Sequence, residues 1–364
     1  MNLKPQRFVV GLWIVFVVAC ILIPNPASAQ LIVPSPTGPD DGTGDQFRML
    51  GIEGDGQVWI LGKCLTGPCD SDEALFRFTG DGFETMRLIP LPNTDSFEAR
   101  RISRDGQYIV GSSRGDGFEE PTLWSRRESL VPKSLGKILE SCCTAEPQDV
   151  ASTTAGPIIV GYYGFGTFLW REGTGYQAWM TNSGFWPIRR AYVISADGTR
   201  WAGQQFSPLG SNLVSLPFAG TEMTLEMLKT KAGSSANAFS ISPNGQHIVG
   251  LLDQQPVIWT KKKVEFLSVG KGSAALLAVT DNGYAGGRGA GGGVIYDSRG
   301  RKLELFDNWW ANNYPLVPLP AHVTVVNDLY EHAGKLYCLI QLEDPARYYR
   351  TSALAIAPLK GAGD

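Results

Sequence analysis

The sequence predicts an all-β protein built as a seven-bladed β-propeller with four-stranded blades. Its composition is rich in turn residues, with 43 glycines and 23 prolines but only 18% charged residues, which is typical of a β-rich chain. A motif of about 45 residues also recurs seven times along the chain. Four short antiparallel strands with recurring glycine and aromatic positions, at this repeat length, are typical of a propeller blade.

The first half of each repeat is a tight turn between two short apolar runs, as in "RISRDGQYIVG" at 101–111. Asp-Gly and Asn-Gly pairs favour positive φ at a hairpin corner, and the preceding serine is placed to bond the turn backbone. One carboxylate per turn supplies too few ligands for calcium. We therefore interpret the repeated motif as a structural turn, with these corner glycines: Gly56, Gly106, Gly156, Gly198, Gly245, Gly283 and Gly334.

Two other glycine and aromatic positions recur in the repeats. The glycine that closes the "IVG" run suits a crowded position, because it carries no side chain. A third run ends in an aromatic residue, as in "TLWSR" at 122–126 and "PVIWT" at 256–260, and we expect these rings to pack between repeats. A fourth short apolar run completes the unit. Repeat length and count favour the propeller over a β-solenoid or two β-sandwiches, with six or eight blades as the alternatives if one end is misassigned.

The N-terminal 29 residues have the pattern of a signal peptide. Lys4 and Arg7 precede an apolar stretch over 8–23, and Ala27-Ser28-Ala29 forms a cleavage site before Gln30. A membrane anchor, and a lipoprotein acylated at Cys20, are the alternative interpretations. We predict a secreted or periplasmic protein.

The mature chain is predicted to contain one domain. Residues 30–46 form a linker, 47–358 the propeller and 359–364 a tail. An open edge strand promotes aggregation, so we expect ring closure to use a strand from 30–50 or from "SALAIAP" at 352–358.

Charge and hydropathy limit the partners. The formal net charge is −3, and signal cleavage makes the chain more acidic because it removes Lys4 and Arg7. This balance gives no basic field for nucleic acid or anionic lipid, and no second apolar run is long enough to span a membrane. We therefore expect no nucleic-acid partner, no membrane partner after cleavage and a monomeric state, with a protein or glycan as the ligand.

Four cysteines and a cluster of three aspartates are further candidate features. Cys64 and Cys69 flank a Gly-Pro turn and are placed to form a disulfide, whereas the adjacent Cys142 and Cys143 allow a vicinal disulfide or separate partners. In the "PDDGTGD" segment, a calcium site is one interpretation and a solvated linker is the one we favour. The carboxylates concerned are Asp40, Asp41 and Asp45.

No catalytic or cofactor-binding residue is predicted. Three histidines, His247, His322 and His332, stand in separate sequence settings without metal-ligand spacing. The sequence also contains no G-x-S-x-G elbow that would mark a serine nucleophile. We favour a non-catalytic protein without a cofactor.

One aromatic cluster is a candidate ligand site. Trp309, Trp310 and Tyr314 stand among asparagines, in a combination that stacks on sugar rings or on protein partners. Packing of the last blade is the alternative explanation.

The "ISxDGxxIVG … LWxR … L" pattern, best seen at 101–124, 192–203 and 239–259, resembles the HAF-type repeat of secreted bacterial proteins. This resemblance covers about 47–340 and implies a propeller-like extracellular or cell-surface protein, with no catalytic residues. "STTAGP" in the third copy and "VSLPF" in the fourth depart from the pattern.

The predicted function is that of a secreted binding or interaction module at the cell envelope. The alternatives are a carbohydrate-active hydrolase or lyase with carboxylates at the propeller channel, and a structural component of the envelope. Because the repeated positions read as structural, we expect function to lie in the variable loops between "IVG" and the next aromatic strand.

Overall fold

We describe the protein from a computed structural model. The structure describes residues 29–32, 46–63, 73–80, 82–138, 145–164, 166–179, 188–209, 212–220, 225–228, 235–261, 263–268, 273–344 and 349–359.

The described strands form seven four-stranded antiparallel sheets, numbered here in chain order. Sheet 1 contains Gln46–Ile52, Val58–Lys63, Glu73–Phe78 and Phe83–Arg87. Sheet 2 contains Ser96–Ile102, Tyr108–Gly115, Phe118–Ser125 and Pro132–Ser134. Sheet 3 contains Ala145–Thr153, Gly156–Tyr163, Gly166–Arg171 and Gly175–Trp179. Sheet 4 contains Ile188–Ile194, Trp201–Leu209, Asn212–Gly220 and Leu225–Met227.

The second half of the chain continues this pattern. Sheet 5 contains Ala236–Ile241, His247–Leu252, Gln255–Thr260 and Val264–Phe266. Sheet 6 contains Ala274–Val279, Ala285–Gly289, Gly292–Asp297 and Lys302–Leu305. Sheet 7 contains His322–His332, Lys335–Asp344, Tyr349–Pro358 and Gln30–Ile32. A 3-10 turn, Arg126–Glu128, lies within sheet 2, and helix α1, Phe306–Asn313, joins sheets 6 and 7.

Sheet 7 differs from the other six because its strands are not consecutive in the chain. Its outermost strand, Gln30–Ile32, pairs antiparallel with Tyr349–Pro358, and Leu31 lies opposite Ala355. Both segments named from the sequence as sources of a closing strand therefore take part in this sheet. Pairing of the two ends covers an edge that would otherwise expose free backbone groups.

The hydrophobic core is distributed between the sheets. Among the described residues, seven clusters of buried side chains each join two neighbouring sheets. One of them packs Phe47 and Ile60 of sheet 1 against Leu339 and Leu354 of sheet 7. Because the last sheet contacts the first in this way, the sheets form a ring, and the prediction of an all-β propeller with four-stranded units is confirmed.

The hairpin corners have the conformation predicted from the sequence. All seven corner glycines have positive φ, from 69° at Gly245 to 109° at Gly156. At 103–108, Ser103 donates to the Asp105 carboxylate at 2.7 Å, and the backbone N–H groups of Gln107 and Tyr108 donate to Asp105 at 3.1 Å and to Ser103 at 3.0 Å. The Asp105 carboxylate thus accepts hydrogen bonds from within its own turn, which supports the interpretation of the motif as a structural turn.

Third-strand aromatic residues pack between sheets, as expected. Trp124 of sheet 2 is fully buried in the cluster shared with sheet 1, and its indole N–H donates to the carbonyl of Ile89 at 2.7 Å. Trp170 of sheet 3 makes the corresponding bond to Leu135 at 3.2 Å. A buried indole is stable here because its polar N–H has a partner.

Candidate functional site

The first strand of every sheet contains a β-bulge near its middle. The pairing with the second strand skips one residue in each of sheets 1 to 6, and two residues, Thr324 and Asn327, in sheet 7. A bulge bends the strand and redirects a side chain. One skipped residue from each sheet, with Asn327 for sheet 7, is called a bulge residue below: Arg48, Arg100, Gln148, Tyr192, Phe239, Leu277 and Asn327.

The glycine that closes the "IVG" run makes room for this bulge. A Cβ atom built on Gly111 would overlap the Glu98 carbonyl oxygen and would lie 2.8 Å from the Cα of Ala99. Gly161, Gly203 and Gly250 face the equivalent carbonyls in sheets 3, 4 and 5. The crowding predicted at this position is confirmed, and its source is the bulged backbone of the first strand.

Five of the seven bulge residues face a cavity at the centre of the ring. This central cavity has a volume of about 470 Å³ and is bounded mainly by first-strand residues of sheets 1 to 5. Such a volume is within the range of small-molecule sites. Five bulge residues line it: Arg48, Arg100, Gln148, Tyr192 and Phe239.

One side of the central cavity is a network of arginines and carboxylates. Arg48 forms a salt bridge with Glu73, whose pKa is raised by burial against the opposing effect of Arg48. Arg100 donates to Glu146 at 3.0 Å and lies 3.6 Å from Glu98. Burial lowers the pKa of Arg100, but the hydrogen bond to Glu146 and the nearby negative charges outweigh burial, so that the pKa is raised overall. Arg100 therefore stays charged.

Another part of the central cavity's wall is aromatic. Tyr192 and Phe239, from sheets 4 and 5, are half-buried and line the cavity. Tyr192 meets Tyr162 edge to face with 6.0 Å between ring centroids, and the Arg190 guanidinium lies 4.6 Å from the centroid of Tyr162. Burial, with the hydrogen bond that Tyr162 donates to Glu146 at 2.6 Å, raises the pKa of Tyr162 to about 12. Tyr162 thus links the aromatic side to the charged side.

A second, narrower cavity is lined by Arg104, Asp149 and Asp328, and it contains a buried ion pair. Arg104 donates to Asp328 at 3.1 Å, and Asp328 also accepts the backbone N–H of Leu50 at 2.9 Å. Asp149 accepts the N–H of Ile194 at 2.9 Å in the same way. Each aspartate therefore bonds the first strand of the next sheet, and the Asp328 bond joins sheet 7 to sheet 1. These carboxylates hold the ring together.

Several donors around the central cavity have no acceptor among the described residues. These atoms are the Nε of Arg48, Arg100 and Arg190, and the Nε2 of Gln148. Arg101, which also lines the cavity, contacts the Met49 sulfur at 2.6 Å and forms no salt bridge with any described residue. The wall of the cavity therefore has more hydrogen-bond donors than its own acceptors use.

Of the two interpretations of the aromatic cluster, the structure supports packing of the last repeat. Trp309 and Trp310 are only 2% and 1% exposed, and they pack with Phe306 in the core between sheets 6 and 7. The Trp310 indole donates to Val317 at 2.6 Å, and the Tyr314 hydroxyl donates to Pro358 at 2.8 Å. Packing of the last repeat, the alternative given above, accounts for these rings.

Other predicted features fall outside the described residues. These are the calcium candidates Asp40, Asp41 and Asp45, the possible disulfide Cys64–Cys69, and the adjacent Cys142 and Cys143. Cys338 lies within the described range, where it is a buried free thiol. In the part of the chain that the structure describes, no group of three or more His, Cys, Asp or Glu is arranged to hold a metal ion, and no helix is long and apolar enough to cross a membrane.

The bulge residues were missed because they lie inside the repeat, where we expected only structural positions. Their signal is the position two residues before a buried apolar residue of the first strand, as Arg100 stands before Ile102. Elsewhere the copies are similar, but this position varies from arginine to phenylalanine. Sequence variation between the repeats is therefore found at a first-strand position that faces the centre of the ring, and not only in the loops.

The ring of four-stranded sheets and its central cavity define a β-propeller protein. No family model matches the sequence, and no curated protein matches it.

Solved structures resemble the chain at low identity. An oligogalacturonate lyase in complex with manganese is 10% identical, with a TM-score of 0.53 and coverage of 93% of this chain and 98% of that one. A prolyl endopeptidase is 14% identical, with a TM-score of 0.51 and coverage of 84% of this chain and 48% of that one, so this chain spans about half of its length. The propeller domain of the Trilobed protease from Pyrococcus furiosus is 12% identical, with a TM-score of 0.48 and coverage of 88% and 100%. The first two of these likenesses, to the lyase and the prolyl endopeptidase, show the fold alone.

Proposed function

We propose that this protein is a non-catalytic binding module at the cell envelope, whose ligand, a protein or a polysaccharide, occupies the central cavity. In this proposal the seven sheets are seven blades, and sheet 7 is the blade completed by the N-terminal strand. The protein is secreted or periplasmic and monomeric, in line with the signal-peptide pattern over 1–29 and the HAF-type repeat resemblance.

The observation that carries the proposal is the division of the bulge residues into two sides. Arg48, Arg100 and Gln148 present donors, whereas Tyr192 and Phe239 present half-buried rings in the same cavity. A concave site with apolar rings and a few polar groups that converge on it is the usual form of a ligand pocket. The ring of bulges places these groups on rigid strands, which favours a specific ligand over a non-specific surface contact.

Binding is favoured over catalysis because the carboxylates near the cavity are held by arginines. Glu73 pairs with Arg48, and Glu98 and Glu146 both lie against Arg100. A general acid or base has to exchange its proton with the ligand, and these carboxylates are instead used to position cations.

A carbohydrate-active enzyme is the second candidate. The observation in its favour is the chain of contacts from Tyr162 through Glu146 to Arg100, because a tyrosine beside an arginine and a carboxylate is able to transfer a proton to a ligand in the cavity. A structural role in the envelope is the third candidate, and no specific contact favours it.

The proposal is tested by incubating the mature protein with cell-wall and glycan fractions and measuring both retention and released products. We expect retention that falls in the variants Arg101→Gln and Phe239→Ala, with no new products. The matched control is Arg127→Gln, because Arg127 is exposed in the 3-10 turn beside the Gly106 corner, away from the central cavity. Release of cleaved glycan by the wild type would identify an enzyme. Retention that is equal in all three variants would place the binding surface elsewhere.

A further inference from the structure

We infer that the central cavity binds an acidic polysaccharide, with a sugar ring against Tyr192 and Phe239 and its carboxylate toward Arg48, Arg100 and Arg101. This inference rests on the proposed binding function and names the ligand class.

The donors that lack acceptors supply the first step. Arg48, Arg100 and Gln148 line the cavity, and each has a buried side-chain nitrogen that donates to no described acceptor. These nitrogens are shielded from solvent, so a ligand reaches them only if the side chains rotate toward it; because a buried donor without a partner is costly, ligand oxygen atoms would favour that rotation. Carboxylate and hydroxyl oxygens, which are abundant in acidic sugars, meet this requirement.

The charge of the wall supplies the second step. Three arginines, Arg48, Arg100 and Arg101, line the cavity, and Glu98 is the one carboxylate among its described lining residues. Glu73 and Glu146, which are not among the lining residues, pair with Arg48 and Arg100. Arg101 forms no salt bridge with a described residue; its guanidinium donates to the Met49 sulfur, and its positive charge acts on the buried Asp149 carboxylate. Guanidinium groups bind carboxylates through two parallel hydrogen bonds, which gives both strength and orientation. The wall therefore selects an anion over a neutral ligand.

The aromatic side supplies the third step. Tyr192 and Phe239 are half-buried, each with part of its ring surface open to the cavity. Aromatic faces pack well against flat ligands that are apolar on one face and polar at the edge. A pyranose ring has this form, with its C–H groups on the face and its oxygen atoms around the edge. An acidic sugar thus matches both sides of the cavity at once.

The positive wall is too local to recognise a nucleic acid. Phosphate-backbone binding requires an extended basic surface, whereas the chain has a formal net charge of −3. Acidic peptides also carry carboxylates, but their side chains do not present a flat ring beside each acid. The peptide is therefore the competing outcome of the test.

The test is calorimetric titration of the mature protein with hexagalacturonate, hexamannuronate and the carboxyl-reduced, neutral form of each. A hexaglutamate peptide is the competing probe. We expect at least one hexauronide to bind, and carboxyl reduction to weaken its binding by roughly tenfold or more. Arg101→Gln should produce a similar loss, Arg101→Lys a smaller one because charge is retained, and Arg127→Gln a change below about twofold. Phe239→Ala should weaken the acidic and the neutral form alike, because it removes stacking and leaves the charge unchanged.

Equal binding of the acidic and neutral sugars would overturn the inference, as would binding of hexaglutamate in preference to both hexauronides. If no hexauronide binds but envelope fractions are still retained in an Arg101-dependent way, the ligand class is wrong and the proposed function stands. If retention is also independent of Arg101 and Phe239, both fail. Far-ultraviolet circular dichroism and the thermal midpoint of each variant show whether it is folded.

Discussion

Gly111→Ala is expected to destabilise the protein and to weaken binding at the central cavity at the same time. The added Cβ would overlap the Glu98 carbonyl and lie 2.8 Å from the Cα of Ala99. Because both neighbours are backbone atoms, neither is able to rotate away. The first two strands of sheet 2 have to separate, and Arg100, the bulge residue at this point, has to move with them.

The size of the effect follows from these contacts. Overpacking that forces a backbone shift costs about 1–3 kcal/mol, and weakening a ladder hydrogen bond beside Gly111 adds about 0.5–1.5 kcal/mol. We therefore expect a loss of about 2–4 kcal/mol in the free energy of unfolding. Because Arg100 shifts relative to Glu146, binding of the cavity ligand should also weaken in variants that remain folded.

Urea denaturation followed by tryptophan fluorescence measures the stability change. Gly54→Ala is the matched control, because Gly54 lies in a turn with no atom within 4 Å of its added Cβ, and we expect a change below about 0.5 kcal/mol there. If Gly111→Ala is as mild as Gly54→Ala, the bulge does not require a glycine opposite it, and our account of the repeated "IVG" glycine is refuted.

Three further predictions follow from the ring, the turns and the core. Leu31→Asp places a charge against the core between sheets 6 and 7, so it should lower the thermal midpoint and speed proteolysis. Gln30→Asp, at an exposed position of the same strand, should do neither. Equal effects of the two substitutions would contradict the role of strand Gln30–Ile32 in closing the ring. Burial would raise the pKa of Asp197, but hydrogen bonds from Ser195 and Thr199 lower it below its ordinary value. The ionised carboxylate therefore stabilises the folded state at neutral pH, and this stabilisation is lost as the pH falls through the pKa of the folded state. The difference in unfolding free energy between wild type and Asp197→Ala, measured by urea denaturation, should therefore shrink between about pH 7 and pH 3. A difference that grows as the pH falls would contradict this. Burial raises the pKa of the Cys338 thiol strongly, so peptide mapping after iodoacetamide treatment should find Cys338 unmodified until urea unfolds the chain; rapid labelling of the native protein would show that sheet 7 opens.

The repeat and its turns could be predicted because they depend on neighbouring residues. The Asp105-Gly106 corner is fixed by bonds between residues two to five positions apart and by the positive φ that glycine allows. The third-strand aromatic is similarly recognisable, since a buried tryptophan recurs at one place in the unit. Local chemistry repeated along the chain was therefore enough to predict a propeller.

The central cavity could not be predicted in this way. Whether Arg100 faces the centre of the ring depends on the bulge, and the bulge is defined by pairing between two strands. The carboxylates that hold Arg100 come from different strands: Glu98 precedes it, and Glu146 lies in the next sheet. No pattern along the chain indicates that these groups meet.

The aromatic segment at 309–314 also could not be interpreted from the sequence alone, because the sequence does not show whether its rings are buried. Its composition resembles that of a surface that binds sugars, but helix α1 turns both tryptophans into the core between sheets 6 and 7. Whether an aromatic side chain is buried depends on what packs against it. Here the two tryptophans pack against residues of sheet 7, which come later in the chain than helix α1.

The sequence by itself thus determined the repeated unit, its hairpin corners and the aromatic positions between units, because each depends on backbone preferences and on residues close in the chain. Tertiary structure decided the rest. It pairs Leu31 with Ala355 across the whole length of the chain, and it brings bulge residues from five sheets to one cavity. Contacts of this kind exist only when the ring has closed, since closure alone brings distant strands to a common centre.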